Sequence, residues 1–276
     1  MADLDRLSVH LATLRPERGL EEAVPALAGM GIHRFAPLAE QLRRLGIREA
    51  VRLVRDYGML VSSCSRGGFF TAASERERRE RIDDNRRLIE EAARLGAPCV
   101  VMVAGGLPPG SKDLLGARHM VEDALAALID DAAGAGVKLA LEPLHPMYAA
   151  EGSVVTTLEQ ALEICDGLGA DAPVGVMVDV YHCWWDPKLP DLIARAGSGR
   201  LLGLQVSDWL VPTRGQASAR GMPGEGVIDI AAIRTLMDRH GYHGPIEVEV
   251  WSADHWWRRE PREVLVQCLE RFALFC

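Results

Sequence analysis

The sequence predicts a single-domain α/β protein over residues 1–276, a (β/α)8 TIM barrel with its active site at the C-terminal ends of the strands. Three observations support this fold class. Short apolar runs alternate with longer amphipathic segments rich in arginine and glutamate along the whole chain. Each run is continuously apolar, as in a parallel sheet that is covered on both faces. The segment after the first run, RPERGLEEA, lacks the glycine-rich phosphate loop typical of an open doubly wound sheet.

Eight apolar runs of strand length predict the barrel strands. They are Leu7–Leu14, Ile32–Leu38, Leu60–Cys64, Cys99–Ala104, Lys138–Leu144, Val174–Val180, Leu201–Val206 and Ile246–Trp251. The amphipathic segments after them predict helices at Glu21–Met30, Ala39–Tyr57, Glu75–Leu95, Lys112–Ala135, Thr157–Leu168, Leu189–Ala196, Ile230–His240 and Pro261–Phe275. Apolar residues recur in these segments near the helical period of 3.6, and glycine often follows where a helix end needs a positive φ.

Composition narrows the class of protein. The chain has 31 basic and 39 acidic side chains and a net charge of −8, which disfavours a general binder of nucleic acid or anionic membranes. Its apolar runs are too short to cross a membrane, and the N-terminus MADLDRLS does not look like a signal peptide. The six cysteines form no CxxC pair, so no disulfide framework is indicated. We therefore expect a cytoplasmic protein.

Polar residues cluster at the C-terminal ends of the last four predicted strands. Glu142, Asp179 and Gln205 end the fifth, sixth and seventh strands, and Glu247 and Glu249 lie in the eighth. A charge inside an apolar strand is costly unless it is paired or binds a cation. Four successive strands that each supply a carboxylate or amide oxygen therefore indicate one shared ligand.

Five motifs in these regions are similar to those of the xylose-isomerase-like TIM-barrel superfamily, in particular its sugar phosphate isomerase/epimerase branch. They are LEPLHP at 141–146, DVYH at 179–182, QVSD at 205–208, PGEGVID at 223–229 and GPIEVEV at 244–250. The resemblance implies a divalent metal held by Glu142, Asp179, Gln205 and Glu249. Glu247 shares a strand face with Glu249, but Glu249 lies nearer the C-terminal end of the strand and is favoured.

The residue at position 205 affects which metal ion the site favours. Many relatives have histidine there, whereas Gln205 supplies a neutral carbonyl oxygen and makes the ligand set oxygen-only. Oxygen ligands favour Mn²⁺ or Mg²⁺, with Co²⁺ or Zn²⁺ as alternatives. The resemblance implies an isomerase or epimerase that acts on a keto sugar, a cyclitol or a similar polyhydroxy carbonyl compound. Glu142 and Glu249 would then transfer protons through an enediolate.

Further residues at this end of the barrel are candidates for substrate binding. His182 would donate a hydrogen bond to a substrate oxygen, and Arg220 matches a position that contacts substrate in the isomerase branch. The loop residues His145, Arg66, Trp184 and Asp208 complete the set. For Asp208 two roles stay open, because it could orient a ligand or Arg220, or cap the following loop.

The same metal site would also serve a lyase or dehydratase, as in relatives that dehydrate inososes or eliminate from keto-glycosides. A non-catalytic sugar-binding barrel is a third alternative. An endonuclease-four-type nuclease is disfavoured, because Gln205 and Arg220 stand where that branch has zinc-binding histidines. We therefore expect a small carbohydrate as partner, without nucleic acid or membrane. The resemblance also implies a homodimer or homotetramer.

Overall fold

The computed structural model describes residues 4–213 and 219–276, and within them one parallel sheet forms a nearly closed ring. Its strands are β1 (Leu7–His10), β2 (Arg34–Ala36), β3 (Leu60–Val61), β4 (Cys64–Gly68), β5 (Cys99–Val103), β6 (Lys138–Glu142), β7 (Val174–Asp179), β8 (Leu201–Val206) and β9 (Ile246–Val248). The order is β3-β2-β1-β9-β8-β7-β6-β5-β4, and a parallel bridge joins Leu38, which follows β2, to Ser65 of β4. The predicted barrel is confirmed.

The third predicted strand differs from the prediction, because it is divided in two. Residues of β3 pair with β2, whereas β4 pairs with β5 and extends to Gly68. A side chain at Gly67 would lie 2.8 Å from the Met102 sulfur, so the glycines allow β4 to approach β5 closely. The sequence SRGG resembles a loop, but it forms a strand that carries Arg66.

Eleven helices accompany these strands in the described residues. They are α1 (Leu20–Gly29), α2 (Ala39–Leu45), α3 (Ile47–Asp56), α4 (Glu75–Leu95), α5 (Leu114–Ala126), α6 (Ile129–Ala135), α7 (Leu158–Gly167), α8 (Val180–Cys183), α9 (Leu189–Arg200), α10 (Ile230–Arg239) and α11 (Pro261–Phe275). Helices α4 and α11 have the predicted bounds. The segment predicted as Ala39–Tyr57 is two helices, because Gly46 adopts φ 84° between them. The predicted helix over Lys112–Ala135 is likewise divided, into α5 and α6.

Two layers of apolar side chains hold the ring together. One lies between strands and helices and includes Val100, Leu139 and Leu141. The other is a small cluster of Cys99, Val101, Ala140 and Met177, whose members alternate with the first set along the strands. Alternate residues of a strand share a face, so this second cluster fills the barrel interior.

The interior face ends in polar residues. Glu142 lies two residues beyond Ala140, and Asp179 lies two beyond Met177. The register places Asp179 beside Gln205, and Gln205 beside Glu247. The fold therefore brings the polar ends of four neighbouring strands, β6 to β9, to one mouth of the barrel.

No helix within residues 4–213 and 219–276 combines the length and the apolarity that crossing a membrane requires.

Candidate active site

Three buried side chains from β6, β7 and α8 meet at the mouth of the barrel. Glu142 ends β6, Asp179 ends β7, and His182 follows on α8, which begins where the Asp179 carboxylate accepts the backbone N–H of Tyr181. The His182 Nε2 atom lies 3.8 Å from Glu142 Oε1 and 3.6 Å from Asp179 Oδ2. One ligand atom from each residue lies within 4.8 Å of the others, so these three side chains form a candidate metal site.

Arg220 lies in the middle of this group. Its Nη1 atom is 2.7 Å from Asp179 Oδ2 and 3.2 Å from Glu249 Oε2. Its backbone N–H donates to the carbonyl of Trp251, which fixes the loop against the residues that follow β9. The buried guanidinium thus bridges carboxylates from two strands of the ring.

The tautomer of His182 follows from its neighbours. The backbone N–H of His145 donates to His182 Nδ1 at 3.1 Å, so the proton of the neutral ring lies on Nε2. Burial lowers the pKa of His182, and the charge of Arg220 adds to this effect, which keeps the ring neutral. Nε2–H faces both carboxylates and also Arg220 Nη2 at 3.0 Å, where two N–H groups oppose each other. The Arg220 contact is therefore less favourable at His182 than at Asp179.

Glu249 lies just beyond β9 and is held from three sides. Its Oε1 accepts from Trp251 Nε1 at 3.1 Å and lies 3.5 Å from His10 Nε2, and its Oε2 faces Arg220. Burial raises the pKa of this carboxyl, but His10, Arg220 and the Trp251 indole outweigh burial and leave the pKa lowered. Glu249 is therefore a carboxylate at neutral pH.

The pKa values of the other two carboxyl groups, Glu142 and Asp179, are raised. Burial raises the pKa of Glu142 well above its ordinary value, and the charges of Glu249 and Asp179 raise it further. Burial also raises the pKa of Asp179 to about 7, although Arg220 opposes this shift. Three crowded acids with a single bridging arginine can all ionise only when further positive charge is present, which favours binding of a cation.

Gln205 and Glu247 lie beside this cluster. The Gln205 side-chain nitrogen donates to Glu247 Oε2 at 3.0 Å, and Ser62 donates to Glu247 Oε1 at 2.7 Å. Both Glu247 oxygens are thus engaged below the mouth. Gln205 Oε1 is buried and has no hydrogen-bond partner in the described part of the chain. An unpaired buried carbonyl beside three acids fits an oxygen-rich cation site.

A cavity of about 230 Å³ opens above these groups. Five of the predicted site residues line it, namely Glu142, Glu249, His182, Arg220 and Arg66. Tyr148 and Trp251 also line it, although neither was among the predicted site residues. Burial raises the pKa of Tyr148 to about 12, so this residue stays a neutral phenol beside His182.

His10 was also missed. It ends β1, as Glu142 ends β6, and its side chain is fully buried next to Glu249. The signal was present in the sequence, since a histidine within the first apolar run occupies the same kind of position as the acids of the later strands.

The remaining predicted residues lie outside the cavity lining. Asp208 accepts hydrogen bonds from the backbone N–H groups of Trp209, Gly224 and Ile228, so it holds the loop that carries Arg220. The His145 ring stacks on Trp209 at 5.0 Å, and Trp184 packs on the same indole at 5.9 Å. These aromatic residues form a layer behind His182 rather than a wall of the cavity.

Solved structures resemble this chain over nearly its whole length. Protein SMc04130 from Sinorhizobium meliloti 1021 is 49% identical, with a TM-score of 0.96 and coverage of 99% of each chain. The IOLI protein, solved with a zinc atom, is 20% identical, with a TM-score of 0.82 and coverage of 96% of each chain. At 20% identity, the second likeness concerns the fold alone.

Two curated relatives are enzymes. An inosose isomerase from Halalkalibacterium halodurans is 28% identical over 193 residues, which are 68% of this chain and 65% of the relative. A 3-dehydroshikimate dehydratase from Pseudomonas aeruginosa is 27% identical over 189 residues, which are 63% of this chain and 27% of the relative. The matched region is therefore less than two thirds of either relative.

The family model named xylose isomerase-like TIM barrel matches residues 24–269. This match includes β2 to β9 and every acidic residue of the mouth cluster. Together with the barrel and its polar mouth, it shows that the chain belongs to the xylose isomerase-like TIM barrel family.

Proposed function

We propose that the chain is a divalent-metal-dependent isomerase or epimerase of a keto sugar, a cyclitol or a similar polyhydroxy carbonyl compound. The observation that carries the proposal is that Glu142 and Glu249, from different strands of the ring, face one cavity and flank the bridged Asp179. Two carboxyl groups that approach a substrate from different sides are what proton removal and proton return require.

The chain's own groups suit this chemistry. Glu249 is ionised and oriented by Trp251, so it is the base that removes the proton next to the carbonyl. Glu142 faces the same cavity from the end of β6 and returns a proton. Return to the opposite face of the same carbon gives an epimer, and return to the neighbouring carbon gives an aldose–ketose isomer. His182 Nε2–H and Arg220 hold substrate oxygens.

The donor set fits a divalent cation held by Glu142, Asp179, Gln205 and Glu249, with His182 adjacent. Such a cation would polarise the carbonyl and stabilise the negative charge of the enediolate. We propose Mn²⁺ or Mg²⁺ because the four ligands are oxygen atoms. Zinc stays an alternative, since the IOLI protein was solved with that metal.

A lyase is the second candidate, favoured by the similarity to a 3-dehydroshikimate dehydratase. Removal of the same proton followed by loss of a β-leaving group needs the same base. The product separates the two reactions, because an isomer keeps the mass of its substrate and a dehydrated product has lost one water.

The test is incubation of the Mn²⁺-loaded protein with a panel of ketoses, inososes and 3-keto-glycosides in D₂O, followed by mass spectrometry and NMR. An isomerase gives a product that differs in mass from its substrate only by deuterium in place of hydrogen, and a lyase gives a product that has lost the leaving group. Glu249→Gln removes the base and is expected to abolish both. Glu151→Gln, an exposed glutamate outside the cavity lining, is the matched control. Full turnover by Glu249→Gln would refute the assignment.

A further inference from the structure

Arg66 lies in the wall of the cavity, in the middle of β4. Its guanidinium carbon lies 5.0 Å from the centre of the Trp251 ring and 5.6 Å from that of Phe69. Arginine stacked on aromatic rings is held in position through its faces, while its donor edge stays free. Trp251 is itself fixed by its hydrogen bond to Glu249, so the position of Arg66 is tied to the proposed base.

The two arginines of the cavity differ in their partners. Arg220 is bridged between Asp179 and Glu249. Arg66 makes no ion pair with any residue in ranges 4–213 and 219–276, and its Nε atom is buried without a hydrogen-bond partner. A partly buried guanidinium with unused donors is costly unless a ligand satisfies it. The free edge of Arg66 is therefore built for a group that the described chain does not supply.

The charges of the site indicate the sign of that group. Arg220 is already paired with Asp179 and Glu249, whereas Arg66 is an arginine of the cavity wall that has no carboxylate partner among the described residues. A neutral sugar would leave the charge of Arg66 unpaired, whereas a substrate with one anionic group would pair with it.

We propose that Arg66 binds an anionic oxygen group of the substrate, a carboxylate or a phosphate ester, so that the enzyme acts on an acidic sugar or cyclitol derivative. Both groups present oxygen pairs that match the donor edge of a guanidinium. The inference rests on the proposed function, since it names the substrate class for the same cavity.

The test measures binding of three polyols to the Mn²⁺-loaded protein by isothermal titration calorimetry. D-Glucitol is the neutral probe, D-gluconate carries a carboxylate, and D-glucitol 6-phosphate carries a phosphate ester. At least one acidic probe is expected to bind about tenfold or more tightly than D-glucitol. The acidic probe that shows this preference identifies the anionic group.

Variants assign the effect to Arg66. Arg66→Gln is expected to abolish the preference for acidic probes. Arg66→Lys is expected to retain only part of it, because lysine keeps the positive charge but lacks the planar pair of N–H donors of a guanidinium. Arg43→Gln removes an exposed arginine from the neighbouring cavity, which Arg66 also lines. This control variant is expected to keep the preference for acidic probes unchanged. Where Arg66→Gln does not fold, Arg66→Lys gives the same comparison.

Equal binding of neutral and acidic probes, or no binding of any, overturns the proposal. So does a preference that survives Arg66→Gln, which would place the anion on the metal instead. Mn²⁺ binding and deuterium exchange are measured separately from these titrations. A protein that binds Mn²⁺ and exchanges deuterium without preferring an anion would refute the role of Arg66 and leave the proposed isomerase intact.

Discussion

The Nη1 atom of Arg220 lies 2.7 Å from Asp179 Oδ2, in a space that is bounded by the acids suited to hold a cation. The same atom is 3.2 Å from Glu249, so one guanidinium engages two of the four proposed metal ligands. A carboxylate oxygen that accepts from arginine is a poorer ligand for a metal. We therefore expect Arg220 to move toward the cavity when a metal binds.

Replacement of Arg220 by glutamine is expected to strengthen metal binding and to lower the stability of the metal-free protein. Without the guanidinium, Mn²⁺ has no resident cation to displace, and we expect its affinity to rise about tenfold. Loss of one partner of a buried ion pair typically costs about 3–5 kcal/mol, so the metal-free melting point should fall. Titration calorimetry and melting curves with EDTA or Mn²⁺ measure both effects.

The control for this variant is Arg86→Gln, because Arg86 pairs with Asp83 and Asp131 on the protein surface. Surface pairs contribute at most about 1 kcal/mol, so this change should affect neither measurement strongly. Weaker Mn²⁺ binding by Arg220→Gln would contradict the competition between arginine and metal.

The stability of the metal-free protein should depend on pH through Asp179. Its pKa rises from 3.8 in the unfolded chain to about 7 in the fold, chiefly through burial. Between these values the folded state keeps a proton that the unfolded state has lost. Stability therefore falls as the pH rises from about 4 to about 7, by up to about 1.4 kcal/mol per pH unit for this one group.

Unfolding by urea at a series of pH values, with EDTA present, measures this dependence. Asp179→Asn removes the titrating group and should flatten the slope relative to the unmodified protein. Added Mn²⁺ should also flatten it, because a cation stabilises the ionised carboxyl. An unchanged slope in Asp179→Asn would show that the proton is held elsewhere.

Much of the site followed from the sequence because strand geometry is periodic. Glu142 and Asp179 could be placed at the mouth because they end apolar runs, and parallel strands put such ends on one side. The preference for Glu249 over Glu247 used the same argument. In the structure Glu249 lines the cavity, while Glu247 is engaged by Ser62 and Gln205.

The rest depended on contacts that no local pattern encodes. Arg220 reaches Asp179 across 41 residues, and its loop is set by Asp208 through three backbone groups. The close packing of Gly67 in β4 against Met102 likewise depends on the neighbouring strand β5. Sequence periodicity indicates which face of a strand or helix a residue occupies, but it does not predict such long-range contacts.

Gln205→His should move the metal preference toward zinc. Gln205 supplies a carbonyl oxygen that is buried and unpaired, and histidine at this position would supply a nitrogen. Nitrogen ligands favour Zn²⁺ relative to Mn²⁺ and Mg²⁺. We expect the ratio of Zn²⁺ to Mn²⁺ affinity to rise about tenfold or more in competition titrations. An unchanged ratio would mean that Gln205 does not bind the metal.

Asp208 should stabilise the loop of Arg220 rather than touch a ligand. Its Oδ1 accepts from the N–H groups of Trp209 and Ile228, and its Oδ2 accepts from Gly224. Asp208→Ala leaves three N–H groups without this acceptor and should cost about 3–5 kcal/mol of unfolding free energy. Asp208→Asn keeps one oxygen, so its cost should be intermediate.

Because Arg220 depends on this loop, the two variants should also differ in metal binding. A loosened loop weakens the hold of Arg220 on Asp179, so Asp208→Ala should bind Mn²⁺ more tightly per folded molecule, in the same direction as Arg220→Gln. A ligand role for Asp208 predicts the opposite, weaker Mn²⁺ binding with little loss of stability. Urea unfolding and Mn²⁺ titration of the same two variants therefore decide between positioning of the loop and direct participation in the site.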